Sequence, residues 1–291
     1  MLTDLYVDGN SYASGWGKGH ERAIYKIPSS YSWVDEFANL SNCNNVWNHS
    51  LVAKPCDMQV IDIQNFCNQY YNKFKSFDNL FVIAELSYIT YRSIGTVKAR
   101  DGIFKNKDII PVVMAKGTDV LTNETGGFGY IIQYVRKSND FIDIQEPLYT
   151  SVPEQHIDPD DVKRVKEFAT QWLLTRFTNY IDHIDYMYKN LSLIRKFLIK
   201  RNIPFLIYSA AVSDDAPEKV FIDRSLSSLI KDKRVIPLSA FSGKTISEKY
   251  SIEEYTVHPD ATGHKAIGRH LYDWMVKYDL HKKPNPSIIT V

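Results

Sequence analysis

Cysteine is sparse in this chain, with Cys43, Cys56 and Cys67 the only three among 291 residues. Their number is odd and their spacing fits neither a zinc site nor a disulfide framework, so reduced thiols are expected. Long apolar runs are missing too. None approaches 18 residues, and no membrane-spanning helix is expected. The first residues lack the basic, apolar and small-residue series of a secretion signal. Charge of one sign is not in surplus: 35 Lys and Arg against 34 Asp and Glu leave a formal net charge of +1. That balance gives no push toward nucleic acid or a membrane surface. Metal-ligand spacing is poor, since His183 with Asp182 or Asp185 reads as salt-bridging residues on one helix. The stretch Gly15-Trp16-Gly17-Lys18-Gly19 lacks the Gly-Lys-Ser/Thr ending of a phosphate loop. The expectation is a soluble protein without leader, cofactor or metal, cytoplasmic or associated with a particle.

What the chain has is material for one core. Hydrophobic residues make up 44% of it, and its 19 tyrosines and 14 phenylalanines argue against disorder. Apolar runs at 5–7, 46–52, 80–84, 204–208 and 234–238 read as five strands. Helical spacing of apolar residues marks 32–40, 58–74, 162–200 and 262–275, with a break expected near Asn190, because Asn190-Leu191-Ser192 can cap a second segment. Strands alternating with helices predict a doubly wound parallel α/β sheet in three layers, with the first strand near its centre. Residues 93–160 form an insertion after the third strand, expected as a cap or side lobe on a single domain spanning 1–291. Within it, 109–114 reads as a strand, 130–134 as a segment that pairs inside the insertion, and 122–129 as a glycine-containing turn. Residues 282–291 read as a tail.

The first strand ends abruptly. Leu5-Tyr6-Val7 is broken at once by Asp8-Gly9-Asn10-Ser11-Tyr12-Ala13-Ser14-Gly15, which predicts a tight strand-to-helix turn at the carboxyl end of the sheet. A serine in such a turn stands beside free helix amides that favour negative charge. Near the other end lies His258-Pro259-Asp260-Ala261-Thr262-Gly263-His264. The segment from Gly9 to Gly15 resembles the first block of the GDSL esterases, the SGNH hydrolase superfamily, with Asn10 where the usual aspartate stands. The segment from His258 resembles that family's last block, whose first histidine is the catalytic base. The resemblance implies a flavodoxin-like fold and a serine ester hydrolase, and covers about half of the chain, leaving the insertion outside.

On that resemblance Ser11 is the nucleophile and His258 the base that takes its proton and returns it to the leaving alcohol. His264 reads as structural. The family completes its oxyanion hole with a glycine after the second strand and an asparagine after the third. Here Asn48-His49-Ser50-Leu51-Val52-Ala53-Lys54 puts Ala53 or Lys54 at the glycine position, and Glu85-Leu86-Ser87-Tyr88 puts Ser87 at the asparagine position. Ser87 offers one donor with a shorter reach, and Arg92, five residues on, either adds charge for the anion or pairs with an acidic neighbour. The family's orienting aspartate falls at Tyr255, with Glu254 one residue off and Asp260 just beyond the histidine. Glu254 is the preferred partner of His258; otherwise a backbone carbonyl holds the ring and a Ser-His dyad acts. Tyr12, Trp16, Tyr88 and Tyr91 suit sugar faces, so a small ester or acylated glycan is the expected substrate. The alternative is a catalytically degenerate scaffold of this fold, serving glycan binding or structural assembly, and the altered blocks also suit a virus-encoded protein.

Overall fold

The structure, a computed structural model, describes residues 3–10, 12–13, 32–50, 54–86, 92–98, 109–116, 128–135, 149–151, 158–164, 167, 180–209, 223–224, 226–237, 239–240 and 259–286. For 92–151 and 180–184 the description is of the backbone alone. Four parallel strands form the main sheet: β1 (Asp4–Asp8), β2 (Asn45–Asn48), β3 (Leu80–Leu86) and β8 (Phe205–Ser209), in the order β2-β1-β3-β8. The expected fifth strand is reduced to a single parallel bridge between Ile207 and Val235. The Ile207 amide donates to the Arg234 carbonyl and the Ile236 amide to the Ile207 carbonyl. Pro237 follows directly and has no amide with which to extend the ladder.

Alternation along these strands sorts the core into two faces. Tyr6, Val82, Ala84 and Ile207 point one way, against α2 (Cys56–Phe74) and α3 (Tyr180–Lys200), through Ile63, Phe66, Leu191 and Leu198. Leu5, Val7, Ile83 and Leu206 point the other way, against α1 (Trp33–Ser41) and α4 (Ala261–Lys277), through Phe37, Ile267 and Leu271. Helices on both faces of a parallel sheet make the doubly wound, three-layer arrangement expected from the sequence.

Local chemistry sets the helix ends. The Ser32 hydroxyl accepts from the Val34 amide (3.1 Å) while Asp35 takes the Ser32 amide, so both sides of a capping box start α1. Asp260 caps α4 by accepting from the Gly263 amide at 2.7 Å. Gly268 lets α4 lie close on α1, because a Cβ there would stand 2.6 Å from the Trp33 carbonyl oxygen.

Three expectations are corrected. α3 runs unbroken through Asn190, whose side chain donates back to the Tyr186 carbonyl (2.9 Å) instead of capping a new segment. β3 continues through Glu85 and Leu86, because both are buried and paired beside Tyr208 and Ser209 of β8. Residues 282–286 are not a free tail: Arg234 donates to the Leu280 and Lys282 carbonyls, and Pro284 is buried.

After β3 the chain builds a second sheet. β4 (Arg92–Lys98), β5 (Ile109–Lys116), β6 (Phe128–Val135) and β7 (Tyr149–Ser151) pair antiparallel in that order. The described part of the insertion is therefore an antiparallel sheet of its own. The expected strand over 109–114 and the pairing of 130–134 both fall inside it. Of the turn expected over 122–129, Phe128 and Gly129 belong instead to β6, paired with Lys116 and Ala115, and residues 122–127 lie outside the described residues.

Candidate active site

The carboxyl ends of β1, β2, β3 and β8 bring Asp8, His49, Glu85 and Ser209 to one edge, all of them buried. The chain leaves β1 between its two neighbours and turns through Gly9, Asn10, Tyr12 and Ala13. Gly9 is required by closeness. A Cβ there would meet the Cβ atoms of Ala13 and Glu85 at 2.8 Å and the Ser50 hydroxyl at 3.1 Å. Asn10 is buried, and its Oδ1 accepts from the Tyr12 amide (3.1 Å), the local bond that lets asparagine stand in for a backbone turn. Its Nδ2 donates to the Leu86 carbonyl at 3.5 Å. From β2, Asn48 Nδ2 donates to the Ala13 carbonyl (2.7 Å).

Glu85 lies beneath this turn and is 0% exposed. Its Oε1 accepts from the Asn10 amide (3.0 Å) and the Ala13 amide (3.1 Å). Its Oε2 accepts from Trp33 Nε1 (2.8 Å) and from the Tyr208 hydroxyl. Gln59 of α2 donates to the Glu85 backbone carbonyl (2.6 Å). Burial pushes the Glu85 carboxyl up to about 7, against the opposing pull of Tyr208, Trp33 and the two amides. Burial and the adjoining carboxylate also hold the Tyr208 hydroxyl well above its ordinary range.

A second buried polar group adjoins it in the chain. Lys54 Nζ donates to Asp8 Oδ2 (2.7 Å), Asp62 Oδ2 (2.6 Å) and the His49 carbonyl (3.0 Å). Tyr6 donates its hydroxyl to the same Asp8 oxygen (2.8 Å). Burial raises Asp8 to about 7, helped by Asp62 and opposed by Lys54. Burial works against the Lys54 charge as well, yet Asp62 and Asp8 together hold its ammonium above the usual range. Two carboxylates share one cation, so burial weighs on the surplus negative charge.

Of the residues that sequence reasoning selected, Ser11, Ala53, Ser87, Glu254 and His258 lie outside the described residues. Lys54 is described, and its ammonium is committed to the interior between Asp8 and Asp62. Arg92 opens β4 opposite Met114 of β5. Asp260 is the cap of α4, and His264 is buried in the first turn of that helix. Among the described residues no group of three or more His, Cys, Asp or Glu could hold a metal ion, and no helix is long and apolar enough to cross a membrane.

Sequence reasoning missed the roles of Glu85, Trp33, Tyr208 and Gln59. A signal was present for one of them: Glu85 is a charged residue within the apolar run Leu80–Leu86, where a strand covered on both faces has no water to offer it. No protein-family model matches the chain, and a search of curated proteins finds no match either.

Proposed function

We propose that the chain is a serine ester hydrolase of the SGNH type, with Ser11 as nucleophile and His258 as its general base. The observation that carries this reading is the position of the turn. In the order β2-β1-β3-β8, the chain runs to one side of β1 first and then to the other, so β1 and β3 flank the switch point of the sheet. Open α/β sheets bind ligands in the crevice at that point, outside the carboxyl ends of the strands. Asn10 and Tyr12, the neighbours of Ser11, are both buried there.

The other half of the proposed pair is supported from the opposite end of the chain. His258 directly precedes Pro259 and Asp260, the cap of α4. α4 packs on α1 through Gly268, and Trp33 at the head of α1 bonds to Glu85 beneath the turn. Tyr12 and Ala13 of the first block share a core cluster with Trp33 and with Ile267 of α4, the helix that the last block leads into. The Asp260 carboxylate accepts from the Gly263 amide, which favours Glu254, or a backbone carbonyl, as the partner that orients His258.

The reaction is acyl transfer. Ser11 Oγ attacks the ester carbonyl as His258 takes its proton. The tetrahedral intermediate collapses with the proton passed to the leaving alcohol, and water repeats the sequence on the acyl-enzyme. The Ser11 amide, the amide of Ala53 or Lys54, and Ser87 are the proposed oxyanion donors, and a small ester or acylated glycan is the proposed substrate. The test is hydrolysis of 4-nitrophenyl acetate by the wild type, Ser11→Ala and His258→Ala, with circular dichroism to show an intact fold. Turnover by the wild type that falls to background in both variants is the expected result. Equal rates in all three would favour the degenerate binding or assembly scaffold.

A further inference from the structure

We propose that Glu85 is the positioning residue of the Ser11 turn. One carboxylate oxygen gathers the amides of Asn10 and Ala13, while Trp33 and Tyr208 hold the other oxygen in place. The catalytic consequence rests on the reading of Ser11 as the nucleophile; the contacts themselves do not.

The geometry gives Glu85 a task that packing alone does not require. The amides of residues 10 and 13 bracket Ser11, and both end on the same atom at 3.0 and 3.1 Å. A single acceptor for two donors three residues apart sets the curvature of the chain between them. That acceptor is fixed from three other elements: α1 through Trp33 Nε1, β8 through the Tyr208 hydroxyl, and α2 through Gln59, which donates to the Glu85 carbonyl. Glu85 and the four donors to its carboxylate, two backbone amides and two side chains, form a closed set, with both oxygens doubly used. Charged acceptors make the stronger hydrogen bonds, so the ionised carboxylate is the form that grips the turn. The only titratable side chain among the described groups that bond to it is Tyr208, which burial keeps neutral, and no described cation pairs with it.

Glutamine cannot replace it. With its oxygen toward the turn amides, its NH2 faces Trp33 Nε1–H, donor against donor; reversed, the NH2 faces the two amides. Ser11 would then lose its alignment with the base, while the surfaces that bind substrate would remain. An error of this kind lowers kcat more than it raises KM.

The experiment follows Glu85 directly. In isotope-labelled full-length protein, the Glu85 carboxyl carbon and the Asn10 and Ala13 amide protons are titrated by NMR from pH 5 to 9. The proposal expects all three to share one midpoint, and the amide titrations to vanish in Glu85→Gln. In the same variant, kcat for 4-nitrophenyl acetate is expected to fall at least about tenfold with KM within about threefold of the wild type. Amides that ignore the Glu85 titration, or a folded Glu85→Gln protein with wild-type kcat, would overturn it. If Glu85→Gln fails to fold, the wild-type titration decides alone. If the wild type has no turnover sensitive to Ser11→Ala, the esterase reading fails, and the NMR midpoints still decide the role of Glu85.

Discussion

Two buried carboxyls dominate the chemistry at the scale of single residues. Glu85 and Asp8 are 0% exposed, and burial raises each to about 7. The ordinary values are 4.5 for Glu85 and 3.8 for Asp8. Between those values and about 7 the unfolded chain has released the proton while the native chain still holds it. Native protein binds more protons there, so stability falls as pH rises through that window and levels off above it. For Glu85 alone the shift corresponds to about 3 kcal/mol, at about 1.4 kcal/mol per pH unit. Urea unfolding at intervals from pH 5 to 8 should show that decline, and Glu85→Gln should reduce it, leaving the part due to Asp8. A wild-type stability that rises across the same interval would contradict the assignment. Neither residue was legible as a functional group in the sequence. Asp8 reads as the start of a turn and Glu85 as the end of a strand; only the pairing of β3 with both β1 and β8, and the reach of Lys54 to Asp8, bring their partners together.

At the scale of elements, the turn after β1 depends on a backbone with no side chain in the way. In Gly9→Ala the new methyl would meet the β-carbons of Ala13 and Glu85, both at 2.8 Å and both fixed to backbone. Neither neighbour can swing aside, so we expect a loss of about 1–3 kcal/mol in urea unfolding, typical of overpacking. The proposed esterase turnover should fall with it, because the displaced atoms belong to Ala13 of the turn and to Glu85, which holds it. Unchanged stability would mean that the turn has room the structure does not show. Elements with strong local signals were legible in the sequence. Ser32 and Asp35 mark the start of α1, and the continuous apolar residues of β3 mark a strand covered on both faces. The break expected at Asn190 was not found, since an asparagine can bond back to the preceding turn as readily as it can start a new one. The strand expected over 234–238 shrank to the bridge at Val235, where Pro237 cuts the ladder short.

The whole molecule joins a parallel sheet to an antiparallel one inserted after β3. Alternating strand and helix signals were enough to predict the first sheet and to put β1 in its interior. They were not enough to arrange the polar groups at its edge, because hydrogen bonds such as Trp33 to Glu85 and Lys54 to Asp8 span 52 and 46 residues of sequence. The two blocks that suggested an esterase, 9–15 and 258–264, lie farther apart still in the sequence. The central claim is that the turn at the end of β1 carries an activated nucleophile. It is tested most directly by incubating the folded protein with a fluorophosphonate and mapping the adduct by mass spectrometry. In that reaction Ser11 Oγ attacks phosphorus, fluoride departs and His258 takes the proton. The account predicts one phosphonyl group on the peptide containing Ser11, absent in Ser11→Ala and formed at least about a hundredfold more slowly in His258→Ala. An unmodified Ser11 at saturating probe, or an adduct whose rate ignores His258, would contradict it.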